Sequence, residues 1–134
     1  MVASGPSSAI MDSPGQYTDP MIQIYHNPRC SKSREALALL QARGIVVEVV
    51  EYLQTPLNLW QMQELRQLLG LPARELLRTG EEAYATLGLA DPDLSEEALL
   101  GAIVAHPILL QRPIVVNGQR AVIARPPELA LTVL

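Results

Sequence analysis

Cys30 is the only cysteine of the 134-residue chain, and it stands in the stretch M-I-Q-I-Y-H-N-P-R-C-S-K-S-R, residues 21–34. This pattern predicts a short strand, a turn at Asn27-Pro28, and a helix that begins at the cysteine. A thiol placed there has unusual chemistry. The unpaired N–H groups and positive dipole end of a helix favour anions, so the sulfur ionises more readily. The thiolate is the nucleophilic form, which makes Cys30 the candidate reactive group. The N–H groups of Lys32, Ser33 and Arg34 can hold an oxyanion beside it. His26 lies four residues earlier, close enough across a turn for an imidazolium to favour the sulfur anion. The competing readings are an inert buried thiol acting as a small hydrophobe and a histidine that only ties down the turn.

Spacing removes other chemistries. A phosphatase-type loop needs Cys-x5-Arg, but Arg34 follows Cys30 at C-x3-R and Ala36 holds the x5 position. A dithiol motif needs a second cysteine where Ser33 stands. One Cys and two His are too few for a metal site, so no metal is expected. Nothing else in the chain can resolve an adduct on Cys30, so an outside thiol must do it.

The rest of the composition bounds the protein. With 49% hydrophobic residues the chain has material for one domain with a core. A net charge of −4 argues against a general nucleic-acid or membrane-surface binder. Nine of the ten basic residues are arginine, which suits bidentate oxyanion binding. A single cysteine excludes an internal disulfide framework and fits a reducing cytoplasm. No apolar run approaches the roughly 18 residues of a membrane span. The start has no basic residue before Arg29 and no apolar h-region, which argues against a secretory signal.

Elements must position the cysteine. Residues 1–20 are rich in Ser, Gly and Pro and are expected to be a disordered tail, with the domain over 21–134. After the first strand at Ile22 and Ile24, a helix with Ala36, Leu37 and Leu40 on one face stops at Gly44. Ile45 to Tyr52 is the second strand, and strand, helix and strand make a right-handed unit with parallel strands. Asn58 and Gln61 open a helix with Leu59, Met62, Leu65 and Leu69 inward, closed by Gly70. Pro72 starts a short helix through Arg78. Ser95 opens another, with Leu99, Ala102, Ile103 and His106 on one face, His106 read as a core histidine. Asn117-Gly118 turns a hairpin between Ile114–Val116 and Ala121–Ile123, and Pro126-Pro127 leads into a last helix. Two parallel strands plus a terminal antiparallel hairpin, covered by helices, are similar to the α/β layout of a thioredoxin-like domain with a helical insertion before the hairpin.

Five ordered blocks carry a resemblance. H-N-P-R-C-S-K-S-R, R-E-L-L-R, Y-A-T-L-G-L-A, H-P-I-L-L-Q-R-P-I-V-V and A-R-P-P-E resemble the glutaredoxin-linked arsenate reductase (ArsC) family over residues 21–134. The resemblance implies a thioredoxin-like domain reducing arsenate to arsenite with glutathione as co-substrate and glutaredoxin as partner, with no bound cofactor. By position, Cys30 matches the family nucleophile and His26 the histidine favouring its thiolate. Arg78, Arg112 and Arg125 match the three arginines that hold the oxyanion, and Ser33 joins them as an expected substrate-binding residue. Pro113 occupies the position where this fold places a cis proline beside the cysteine. Two departures sit at the loop, where Arg29 replaces a small residue and Lys32-Ser33 follows the nucleophile. Two rivals keep Cys30 but change its use. One is a glutathione-dependent thiol oxidoreductase with Cys30 and Ser33 as C-x-x-S. The other is an Spx-like redox-sensing adaptor that binds RNA polymerase, although such regulators typically carry the Cys-x-x-Cys absent here.

Overall fold

The structure, a computed structural model, describes residues 22–134; the expected tail lies outside them. Four strands form one sheet in the order β2-β1-β3-β4. Strand β1 (Ile22–Tyr25) runs parallel to β2 (Val47–Val50), pairing Ile24 with Val49. It runs antiparallel to β3 (Ile114–Asn117), pairing Ile24 with Val115. Strand β4 (Arg120–Ile123) completes the hairpin with β3, and Gly118 supplies the positive φ that its two-residue turn requires.

Side chains alternate across a strand, so β3 feeds two cores. Val115 joins Ile22, Ile24, Ala36, Leu40, Ala130 and Val133, under helix α1 (Ser31–Ala42) and a C-terminal 3-10 segment (Pro127–Val133). Ile114 and Val116 point the other way, into Tyr52, Met62, Leu76, Leu99, Ile103 and Leu110. That second core lies under the insertion: α2 (Leu59–Leu69), a 3-10 turn (Ala73–Leu76), α3 (Glu82–Thr86) and α4 (Glu96–Ala105). The result is the α/β layout read from the sequence. Among the described residues no helix is long and apolar enough to cross a membrane.

The local signals hold where they are local. Asn58 Oδ1 accepts from Gln61 N at 2.8 Å and Gln61 Oε1 accepts from Asn58 N at 2.9 Å, a reciprocal cap that opens α2. The corrections arise where neighbours decide. Strand β2 spans Val47–Val50 rather than Ile45 to Tyr52, because β1 offers only four partners. Leu59 and Leu69 are half-buried while Met62 and Leu65 carry the buried face of α2. The turn after Pro72 ends at Leu76, not Arg78. Leu77 instead bridges Leu110, Arg78 N donates to Leu109 O at 2.7 Å and Gln111 N to Leu76 O at 2.8 Å. His106 is exposed rather than in the core. The residue before a proline is kept out of the helical region, so α4 stops at Ala105 and His106 turns away at φ −134°, ψ 79°. The last helix is 3-10 throughout, and α3 has no counterpart in the sequence reading.

Candidate active site

Cys30 occupies the N-cap of α1, half-buried, at the end of a braced loop. Cys30 N donates to Asn27 O at 2.9 Å, Arg29 N to Asn27 Oδ1 at 3.0 Å, and Arg34 Nη1 reaches back to Pro28 O at 2.8 Å. Arg34 therefore clamps the loop while its side chain stays exposed. On the other side of the turn, His26 N donates to Val50 O at 2.9 Å, tying the loop to the sheet edge.

The thiol titrates below its ordinary value. Burial opposes ionisation more than any other single influence, but the amide N–H groups of Ser33 and Lys32 and the Arg112 guanidinium beside the sulfur together outweigh it. The expected imidazolium of His26 has a different status. Burial, with Arg34 adding to it, lowers the His26 pKa despite the opposing pull of Glu51, so the ring favours its neutral form. Its Nδ1 sits 2.8 Å from Ser33 Oγ, and the same hydroxyl accepts from Asn27 N at 3.1 Å. Ser33 is fully buried. It thus presents its amide to the sulfur and turns its hydroxyl inward, where it locks histidine and turn together.

This division of labour is testable. Ser33→Ala leaves the buried Asn27 N–H and the His26 ring each without a partner, a loss of about 1–3 kcal/mol. Thermal unfolding of the variant is expected several degrees below the parent. The amide remains, so the thiol titration followed by ultraviolet absorbance should barely move; a thiol returned to its ordinary range would place the hydroxyl, not the amide, at the sulfur.

The three arginines arrive from separate parts of the chain. The pairing of 76–78 with 109–111 lays Arg78 alongside the approach to Arg112. Arg78 Nε donates to Glu81 Oε2 at 3.1 Å, and Arg112 Nη2 forms an ion pair with the same oxygen at 3.6 Å. One carboxylate oxygen thus lies between two guanidinium groups, which brings the pair to a single anionic atom. Arg112 Nη1 donates to Ile108 O at 3.2 Å, and Arg125 Nη1 donates to Arg112 O at 3.0 Å, so Arg125 braces the backbone that carries Arg112. The Arg112–Pro113 peptide is cis, as is Arg125–Pro126.

Two residues of the site escaped the sequence reading. Glu81 follows Arg78 at i+3, a spacing that allows the ion pair but cannot announce a second arginine. Tyr52 lies just beyond β2, its ring in the insertion core, and its hydroxyl in the field of Arg112, Arg78 and Cys30. Among the described residues no group of three or more His, Cys, Asp and Glu is placed to hold a metal. A groove of about 280 Å³, lined by His26, Asn27, Pro28, Arg29, Glu51 and Ile108 among others, borders the cysteine loop. Another of about 380 Å³, lined by Glu64, Gln67 and Gln119, holds none of the site residues.

A single cysteine at a helix start, on a mixed four-stranded sheet, with an arginine pair beside it, defines a protein of thioredoxin-like fold. The chain belongs to the ArsC family, whose model matches residues 25–133. It is 52% identical over 114 residues to the protein named "Uncharacterized protein YfgD" of Escherichia coli, covering 84% of this chain and 96% of that one. It is 51% identical over 110 residues to a protein of Neisseria meningitidis named arsenate reductase, covering 81% of this chain and 94% of the relative. The structure titled arsenate reductase from Vibrio cholerae superposes with a TM-score of 0.83 at 47% identity, covering 84% of this chain and 97% of that one.

Proposed function

We propose that this protein reduces arsenate to arsenite through a Cys30 thiolate adduct resolved by glutathione and glutaredoxin. One observation carries the reading: the Arg112 guanidinium serves both the Cys30 sulfur and the carboxylate it shares with Arg78. A nucleophilic anion and a pocket for a second anion thus meet at one cation. Relatives named arsenate reductase at about half identity supply the substrate.

In this reading arsenate binds at Arg112 with Arg78, its charge offset by the helix N–H groups. The thiolate attacks arsenic, an arsenic–oxygen bond breaks, and that oxygen leaves as water after proton uptake. A glutathione thiolate then attacks the Cys30 sulfur. The sulfur–arsenic bond breaks, its electron pair stays on arsenic, and arsenic(V) departs as arsenic(III). Cys30 and glutathione are left as a mixed disulfide, which a glutaredoxin thiolate opens by attacking the glutathione sulfur. The groove beside the loop, with Arg29 and Glu51 on its walls, offers opposite charges to a zwitterionic tripeptide thiol. Arg78 and Arg112 act as substrate-binding residues, while Arg125, expected among them, acts by bracing Arg112 and His26 acts through Ser33, both as positioning residues.

The test is a coupled assay of arsenite formation with the purified protein, arsenate, glutathione and glutaredoxin. Arsenite is expected with all components and none without glutathione or glutaredoxin. A protein that makes no arsenite under these conditions and retains RNA polymerase on a column is an adaptor instead.

A further inference from the structure

Two buried polar atoms beside Cys30 meet no partner at full hydrogen-bond geometry among the described residues: the Tyr52 hydroxyl, with the Arg112 guanidinium facing its oxygen, and Arg112 Nε. Tyr52 is 1% exposed and Arg112 8%. Buried polar groups are almost always paired, because leaving water without a new partner is costly. Two unpaired atoms at the same place, one of them donor only and the other able to donate, point to a ligand that accepts. We propose that the Tyr52 hydroxyl is a substrate-binding group of this site, donating a hydrogen bond to the same tetrahedral oxyanion that Arg112 Nε reaches.

The placement suits that role. The Tyr52 ring is packed with Met62, Leu65, Ile103, Leu110 and Ile114, so the hydroxyl is held on a rigid mount and little side-chain freedom is lost when an anion binds. Its neighbours toward the site are Arg112, Arg78 and Cys30, the groups that would surround the anion. Burial, only partly offset by the two arginines, pushes the phenol up to about 12. The group therefore stays protonated at neutral pH and donates a bond without giving up its proton. It recognises an acceptor oxygen and does not supply the proton that the departing oxygen needs.

The proposal rests on the oxyanion reading of the site, and one experiment separates the two. Tyr52→Phe keeps the ring and removes only the hydroxyl. Arsenate binding is measured by calorimetry on parent and variant, alongside steady-state kinetics, thermal unfolding without ligand, and thiol titration. The variant is expected to bind arsenate about tenfold more weakly and to show a matching rise in KM for arsenate, because a bond to a charged acceptor is lost. KM for glutathione should stay within about twofold, and the unliganded protein should be about as stable, since the hydroxyl proton has no acceptor to lose and its oxygen meets Arg112 without a well-formed bond. Equal arsenate affinity in parent and variant overturns this proposal alone. A thiol pKa that rises in the variant assigns the hydroxyl to the sulfur and overturns it too. A parent that binds no arsenate removes the oxyanion reading, and this proposal with it.

Discussion

Cys30→Ser is expected to fold as the parent does and to make no arsenite, a loss on the order of 10⁴-fold or more in the coupled assay. The reason goes beyond nucleophile strength. A serine oxygen is a poor nucleophile without an adjacent base, and even an arsenate ester on it would have no thiol electrons to pass to arsenic. Half of the two-electron supply disappears with the sulfur. The side chain is half-buried and serine is itself a favoured N-cap residue, so the unfolding temperature at neutral pH should change little. The pH dependence of stability separates the variants further. Folding lowers the thiol pKa, so the thiolate contributes stability that is present above the unfolded thiol value, about 8.5, and is lost as pH falls through the lower folded value. The advantage of parent over Cys30→Ser should therefore shrink as the solution is acidified across that window. A stability difference that is flat across it contradicts the proposed thiolate.

Arg112→Ala should lower kcat/KM for arsenate by about 10²–10³-fold, the size of losing one preorganised oxyanion contact. Three consequences coincide at this residue. The bound anion loses its central cation, the Cys30 thiol loses one of the influences that lower its pKa, and Glu81 keeps Arg78 alone. The thiol titration of the variant should accordingly shift upward, an effect that Arg78→Ala, whose ion pair is with Glu81, should not produce to the same extent. Stability should fall by about 1–3 kcal/mol, less than for a wholly buried ion pair, because Glu81 retains a partner and is partly solvated. Arg112→Lys keeps the charge but not the planar fork. It should restore most of the thiol shift and little of the arsenate affinity. An alanine variant with unchanged arsenate kinetics would remove Arg112 from the site.

The parts of the fold that were legible are those written in neighbouring residues. The reciprocal cap of Asn58 and Gln61, the hairpin turn at Gly118 (one residue later than read, since Asn117 pairs with Arg120), the stop at Gly44 and the placement of Cys30 at the start of α1 each depend on side chains within a few positions. The misplaced elements depend on distant partners. His106 fits the apolar face of α4 by period, yet Pro107 ends the helix one residue earlier and turns the ring outward. Arg78 reads as a helix end until residues 109–111 pair with 76–78 and draw it into extended backbone. Ser33 reads as a hydroxyl for substrate, but its burial against His26 and Asn27 leaves only the amide for the sulfur.

By itself the sequence determined where the lone cysteine stands, at a helix start whose own N–H groups favour its anion. It also determined the order of the strands and of every α-helix but α3, through periodicity and turn residues. Only the tertiary structure decided what surrounds that sulfur. Glu81, Arg112 and Tyr52 are 51, 82 and 22 residues from Cys30 along the chain, and no local rule links positions so far apart. Their meeting depends on β3 emerging beside β1, on the 76–78 and 109–111 pairing, and on a core that fixes the Tyr52 ring. Cooperative burial of apolar surface, rather than any motif, brings those charged and hydroxyl groups to one place.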